Sequence, residues 1–313
     1  LPILFQNTTK IYFGKDQLAH LGEEAAALGK KVLLVYGGGS IKRSGLYDKV
    51  VDILKNAGMT ISELGGVEPN PHHTTVNKGV QICREEGIDV ILAVGGGSTI
   101  DASKVMAATV VSDTDDCWDL IMNKTTSPGA LPIMTVLTIA ATGSEMDAGA
   151  VISNVDTQEK LPYVSPAVLP TVSFLDPTNT FTVPAYQTAA GSADMIAHIF
   201  DVVYFSKQPR MDMLYRIQDE LLKTVVTFAP IALKEPDNYE ARANLMWTST
   251  WALNGFIFGG VEQMTPCHMM EHELSAVYNI THGHGLAILM PRWLKYTLND
   301  DNAWQIKRLG TNV

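Results

Sequence analysis

Asp89-Val-Ile-Leu-Ala-Val-Gly-Gly-Gly-Ser-Thr-Ile-Asp101 contains one complete step of an α/β fold. After Asp89, the five residues Val90 to Val94 form an apolar run of strand length. The glycine triplet then stops the run, and a helix follows with Asp101 one turn in. The same step occurs upstream, where Lys31-Val-Leu-Leu-Val-Tyr36 reads as a buried strand ending in Gly37-Gly38-Gly39-Ser40. Between and beyond these, Leu46 to Asn56 reads as a helix with apolar residues at 46, 50, 51, 53 and 54. Met59 to Leu64 reads as a strand and Thr74 to Glu86 as a helix, with further strands at Leu131 to Leu137 and Thr171 to Leu175. This alternation predicts parallel strands joined by helical crossovers.

After Pro184 the pattern changes. Gln187 to Phe205, Met211 to Val226, Asn238 to Phe258, Thr265 to Tyr278 and Gly285 to Leu298 all read as helices with no strand between them. At 313 residues, two domains are expected. The junction falls at Phe181-Thr-Val-Pro184, giving an α/β domain over 1–183 and a helical domain over 184–313. The chain starts without Met and stops at Gly310-Thr-Asn-Val313, so both ends are expected to be trimmed and the helical domain incomplete.

A formal charge of −10 argues against a nucleic-acid or anionic-membrane partner, because phosphate surfaces attract clustered Lys and Arg. No apolar run approaches the roughly 20 residues of a membrane span, and the N-terminus lacks the pattern of a signal peptide. Cys83, Cys117 and Cys267 are odd in number and show no C-x-x-C spacing, which fits a reducing, cytoplasmic setting.

Both glycine runs fall at the carboxyl ends of strands, where open α/β sheets bind ligands. Bare backbone approaches a ligand closely, and the N–H groups of a following helix favour phosphate. A third polar turn, Thr138-Ile-Ala-Ala-Thr142-Gly-Ser144-Glu145, follows the strand that starts at Leu131. One such turn is as often a plain connection, and neither run is the G-x-G-x-x-G fingerprint. Three in one sheet favour an extended, phosphate-containing ligand.

Of eight histidines, His268, His272, His282 and His284 fall close together, and His198 follows Asp194 by four residues. Positions i and i+4 share a helix face, so Asp194 and His198 can converge on one point, as can His268 and His272. Alone, an Asp/His pair of this kind is usually a helix-stabilising contact. With the downstream cluster it suggests a mixed oxygen–nitrogen shell for Fe2+ or Zn2+, leaving open which of the clustered histidines are ligands. His72 and His73, after Pro71, read as surface residues. A cation that polarises a carbonyl, beside a nicotinamide that carries hydride, suits alcohol–aldehyde interconversion.

The chain resembles the iron-containing (group III) alcohol dehydrogenases, and within them the butanol dehydrogenase branch. The likeness rests on Tyr36-Gly-Gly-Gly-Ser-Ile-Lys-Arg-Ser-Gly45, Gly66-Val-Glu-Pro-Asn-Pro71, Ala93-Val-Gly-Gly-Gly-Ser-Thr-Ile-Asp101 and Ala141-Thr-Gly-Ser-Glu-Met-Asp147. It continues in Asn238-Tyr-Glu-Ala-Arg-Ala-Asn-Leu-Met-Trp247, Cys267-His-Met-Met-Glu-His-Glu-Leu-Ser-Ala276 and Thr281-His-Gly283. The resemblance implies a Rossmann-like parallel sheet followed by an all-α domain, the architecture of dehydroquinate synthase. It implies metal ligands at Asp194, His198, His268 and His282, and a catalytic His272 that relays protons near the nicotinamide. It also implies cofactor contacts at Gly37, Gly38, Gly39, Ser40, Gly96, Gly97, Ser98, Asp101, Thr138, Thr142 and Lys160.

Relatives that prefer NAD often carry Asp at the position of Gly37. Glycine there, with Ser40, Lys42 and Arg43 following, favours NADP(H), with NAD(H) also usable; the plain reading of Lys42 and Arg43 is a solvated loop. His284 and Asn179 depart from the family pattern. The expected partners are a small aldehyde or alcohol and a second copy of the chain, which the β-prone segment Thr9 to Phe13 could join as a homodimer. Alternatives are a zinc-dependent glycerol or polyol dehydrogenase, a dehydroquinate synthase-like lyase, and a non-catalytic metal-binding protein.

Overall fold

The computed structural model describes residues 3–207 and 210–313. They form two compact units. One comprises Asn7–Ile139 and Ser144–Asn179; the other comprises residues 3–6, Ala140–Gly143 and Thr180–Val313.

The first unit is built on six parallel strands. They are β1 (Lys10–Phe13), β2 (Lys31–Tyr36), β3 (Thr60–Gly65), β4 (Val90–Gly95), β5 (Ile133–Leu137) and β8 (Val172–Leu175), in the order β1-β8-β5-β4-β2-β3. Strands covered on both faces have no need of a polar side, which is why β2, β4 and β5 read as continuous apolar runs. Alternate residues enter two separate cores. Val32, Leu34, Val90, Leu92, Met134 and Val136 pack with α1 (Leu21–Leu28) and α3 (Leu46–Asn56). Leu33, Val35, Ile91 and Ile133 pack with α4 (His73–Glu86), α5 (Gly97–Val110) and α6 (Cys117–Ile121). The short α2 (Ser40–Arg43) follows β2. An antiparallel hairpin of β6 (Gly149–Asn154) and β7 (Glu159–Val164) completes the unit.

The segment Thr9 to Phe13 forms the edge strand β1, which pairs on one side with β8, Lys10 opposite Val172 and Phe13 opposite Leu175. One expectation changes here. His73 is buried, not a surface residue; it opens α4, its ring 6.2 Å from that of Trp118.

The second unit contains α7 (Ala185–His198), α8 (Asp212–Lys234), α9 (Tyr239–Leu253), α10 (Cys267–Tyr278), α11 (His282–Thr297) and α12 (Ala303–Asn312). The helix expected over Gln187 to Phe205 is interrupted: α7 stops at His198, and Ile199–Tyr204 is a π-helical turn. α8 continues through Pro230 to Lys234, where the sequence reading ended it at Val226. α12 is tied down by Arg308, whose guanidinium lies 4.2 Å and 4.3 Å from the Tyr204 and Tyr215 ring centres and 2.8 Å from Asp219. Among the described residues, no helix is long and apolar enough to cross a membrane.

Lys104 of α5 is fully buried, and its Nζ donates to Asp147 Oδ1 at 2.8 Å and to the Asp147 and Gly149 carbonyls at 2.9 Å and 2.8 Å. Burial pushes the Asp147 carboxyl above its usual range, and Lys104 opposes that push. Removing one partner of a buried pair leaves the other uncompensated. Lys104→Met should therefore cost about 3–5 kcal/mol, read as a lower urea midpoint, with Asp147→Asn on top recovering part of it.

Candidate metal centre and cofactor turns

β5, β4 and β2 are neighbours in the sheet, so the turns that follow them open at one end of three adjacent parallel strands. Gly37, Gly38 and Gly39 lead from β2 to Ser40, the first residue of α2. Gly96 precedes Gly97 and Ser98 at the start of α5. A Cβ on Gly96 would lie 2.2 Å from Ile139 Cγ2, so only glycine fits between β4 and the third turn. Thr138 is held beside it, its backbone N–H donating to the Gly95 carbonyl at 3.0 Å.

Other expected cofactor residues also support the turns. Ser98 Oγ donates to the Pro69 carbonyl. Asp101 accepts from Ser144 Oγ at 2.6 Å and from the Val151 N–H at 2.9 Å, bracing β6 against α5. Burial pushes the Asp101 carboxyl up to about 6, with Lys104 opposing. Lys160, buried on β7, donates to Asn70 Oδ1 at 3.1 Å. Lys42 is exposed on the short α2, with its Nζ over the Tyr36 and Tyr47 rings, 4.7 Å and 4.5 Å from their centres. Thr142 belongs to the helical unit, and Asn179 donates to the Leu137 carbonyl at 3.4 Å within the α/β unit.

In the helical unit, side chains distant in sequence converge. Asp194 and His198 sit one turn apart on α7, and Asp194 Oδ1 is 3.6 Å from His198 Nε2. The same oxygen is 4.0 Å from Nε2 of His268, near the start of α10, and 3.6 Å from Nε2 of His282, the first residue of α11. Four donors around an ion at about 2.0–2.2 Å would be separated by roughly 3.4 Å. The observed spacing is slightly wider than that and beyond hydrogen-bond range. His268 Nε2 is buried and has no hydrogen-bond partner, which suits an atom whose lone pair awaits a cation. Single donor atoms of Asp194, His268 and His282 all lie within 4.8 Å of one another, as a trio. His198 stands outside that trio but within reach of the shared oxygen. Its ring stacks on that of His268, centres 4.8 Å apart. Burial, and secondarily His268, pushes His198 well below its ordinary pKa, leaving it in the neutral form that binds metals. An O/N3 donor set of this kind fits Fe2+ or Zn2+.

His272 lies beside this cluster. It is buried, with its ring centre 5.4 Å from that of His282. His284 turns away: it is exposed, and its Nδ1 is 2.9 Å from Tyr186 Oη. Two acids that the sequence reading passed over are also present. Asp201 contacts His268, and Glu271 contacts His282. Asp201 did carry a signal, as the one charged residue in Ile199-Phe-Asp-Val-Val-Tyr-Phe205.

The helices meet this closely because of Gly283. A Cβ there would lie 2.0 Å from the Ala190 carbonyl oxygen of α7. Gly283→Ala should push α11 off α7 and carry His282 with it. The expected loss is about 1–3 kcal/mol, seen in thermal unfolding, together with weaker Zn2+ binding by titration.

Residues 8–177 match the family model described as iron-containing alcohol dehydrogenase, and residues 188–313 match that of the Fe-containing alcohol dehydrogenase family C-terminal region. The chain is 53% identical over 305 residues to NADH-dependent butanol dehydrogenase B of Clostridium acetobutylicum, covering 97% of this chain and 78% of that protein. It is 41% identical to the NADPH-dependent aldehyde reductase YqhD of Escherichia coli, covering 90% and 73%. The crystal structure of NADH-dependent butanol dehydrogenase A from Thermotoga maritima superposes with a TM-score of 0.95 at 42% identity, covering 99% of this chain and 78% of that one.

Proposed function

The chain belongs to the iron-containing alcohol dehydrogenase family, and from that premise we propose that it interconverts primary alcohols such as butanol and their aldehydes, using NAD(P)H. Asp194, His198, His268 and His282 are proposed to hold Fe2+ or Zn2+. The observation that carries this reading is the approach of three imidazole Nε2 atoms to one buried carboxylate oxygen. A cation held there would polarise a carbonyl oxygen or steady an alkoxide, and a bound nicotinamide would supply or accept hydride.

The chain's own residues supply the rest. His198, held well below its ordinary pKa by burial, offers a lone pair without a proton to displace. His272, buried beside His282, is the group assigned to hold the proton that the substrate oxygen gains or loses. Gly37–Ser40, Gly96–Ser98, Asp101, Thr138, Thr142 and Lys160 are assigned to the cofactor. We assign a preference for NADP(H) over NAD(H) to the turn at Gly37, which lacks a repelling carboxylate and has Arg43 close to Gly39. We place the protein in the cytoplasm as a homodimer; its three cysteines are all free and buried.

Anaerobic reconstitution with Fe2+ and assay over a series of aldehydes tests the reaction. Butanal should be reduced with loss of reduced-cofactor absorbance; turnover of glycerol instead would point to a polyol dehydrogenase. His268→Ala should abolish metal uptake. His272→Ala should keep the metal and lower kcat by about 10²–10⁴, and loss of metal from that variant would contradict the ligand assignment. Arg43→Ala should lower kcat/KM for NADPH several-fold and leave NADH use unchanged. An equal effect on both cofactors would remove Arg43 from 2′-phosphate recognition.

A further inference from the structure

A neutral imidazole carries its proton on one nitrogen only, and the hydrogen bond made by one nitrogen decides which lone pair the other presents. Two of the three clustered histidines have a buried carboxylate at Nδ1. Asp201 Oδ2 is 2.8 Å from His268 Nδ1, and Glu271 Oε2 contacts His282 Nδ1. We propose that Asp201 and Glu271 are positioning residues that keep the proton of each ring on Nδ1 and aim Nε2 at the point shared with Asp194. This deepens the metal reading above and rests on it.

Asp201 is built into two elements at once. The π-helical turn Ile199–Tyr204, which directly follows His198, carries it to the start of α10. There Oδ2 accepts the His268 backbone N–H at 2.7 Å as well as the ring nitrogen, while Oδ1 accepts the Cys267 N–H at 3.3 Å. One carboxylate therefore grips His268 by backbone and ring together, restricting both its position and its rotation. It does so at a helix N-terminus, where negative charge is favoured. π-helical turns recur at functional sites, and here the turn links one proposed ligand, His198, to the brace of another.

Glu271 is fully buried. Its Oε1 accepts from Ser275 Oγ one turn along α10, and its Oε2 takes the ring of His282 across the loop to α11. The space it occupies exists because residue 285 is glycine: a Cβ there would lie 2.8 Å from both Glu271 Cγ and Oε1. Burying a carboxylate is costly unless its charge is engaged. Engagement with an imidazole N–H also makes the opposite nitrogen a better donor to a metal. His198 has no such brace, and its Nδ1 is buried without a hydrogen-bond partner. Its position comes from α7 itself, where it shares a face with Asp194.

The test uses the full chain, stripped of metal and titrated with Co2+ against a competing chelator. Wild type should bind one equivalent with a visible ligand-field band. Asp201→Asn keeps an acceptor for the helix amides but offers its NH2 to the ring. Glu271→Gln does the same for His282. Each variant should bind Co2+ about 10–100-fold more weakly with a shifted band, and Asp201→Glu should recover part of the affinity. Wild-type affinity and spectrum in both variants would overturn the positioning role while leaving the metal site standing. A wild type that binds no Co2+ would defeat the metal reading itself, and the proposal with it. A measurement without substitutions runs alongside: ¹⁵N spectra of the wild-type imidazoles should show His268 and His282 protonated at Nδ1, and protonation at Nε2 would overturn the proposal.

Discussion

Asp194 places a carboxylate at 3% exposure in the helical unit, and the organisation of that unit follows from this burden. A buried carboxylate is strongly disfavoured unless positive charge or hydrogen-bond donors surround it. Three imidazoles from α7, α10 and α11 face one of its oxygens, at distances too long for hydrogen bonds and suited to a shared cation. To deliver them, α11 has to begin at His282 and touch the backbone of α7, and Gly283 permits that contact. α10 has to begin beside the end of α7, and the interrupted helix with Asp201 in its π turn achieves that.

The α/β unit meets a different demand by a comparable route. Its turns have to bring bare backbone to one end of the sheet, so side chains near them serve mainly to hold the turns in shape. Asp101 ties α5 to β6, Ser98 reaches the Pro69 carbonyl, and Lys160 holds Asn70. Buried Lys104 and Asp147 lock the base of the same region. Backbone N–H groups at strand ends are positioned only as well as the loops that carry them, and these contacts hold those loops.

Much of the fold was legible because burial leaves a periodic trace. β2, β4 and β5 are covered on both faces and read as apolar runs, and α3 was bounded correctly at Leu46 and Asn56 by its amphipathic spacing. The β6–β7 hairpin leaves little strand signature in the sequence, because it lies outside the six-stranded sheet and Pro162 argues against a strand. The end of α7 at His198 leaves no mark in the sequence, because a π turn preserves an apolar run while changing the angle at which its residues project. Thr9 to Phe13 reads only as β-prone, because its partner β8 lies far along the chain.

From the sequence alone came the alternation that demands a parallel sheet, the glycine turns at strand ends, and a set of residues chemically able to bind a metal. Tertiary structure decided which nitrogen of each histidine faces Asp194, that His284 turns to Tyr186, and that Asp201 and Glu271 stand behind His268 and His282. The physical reason is that periodicity records how each residue sits about its own helix or strand axis. Convergence of atoms from three helices depends on how those axes cross, and that is set by packing between segments far apart in the chain.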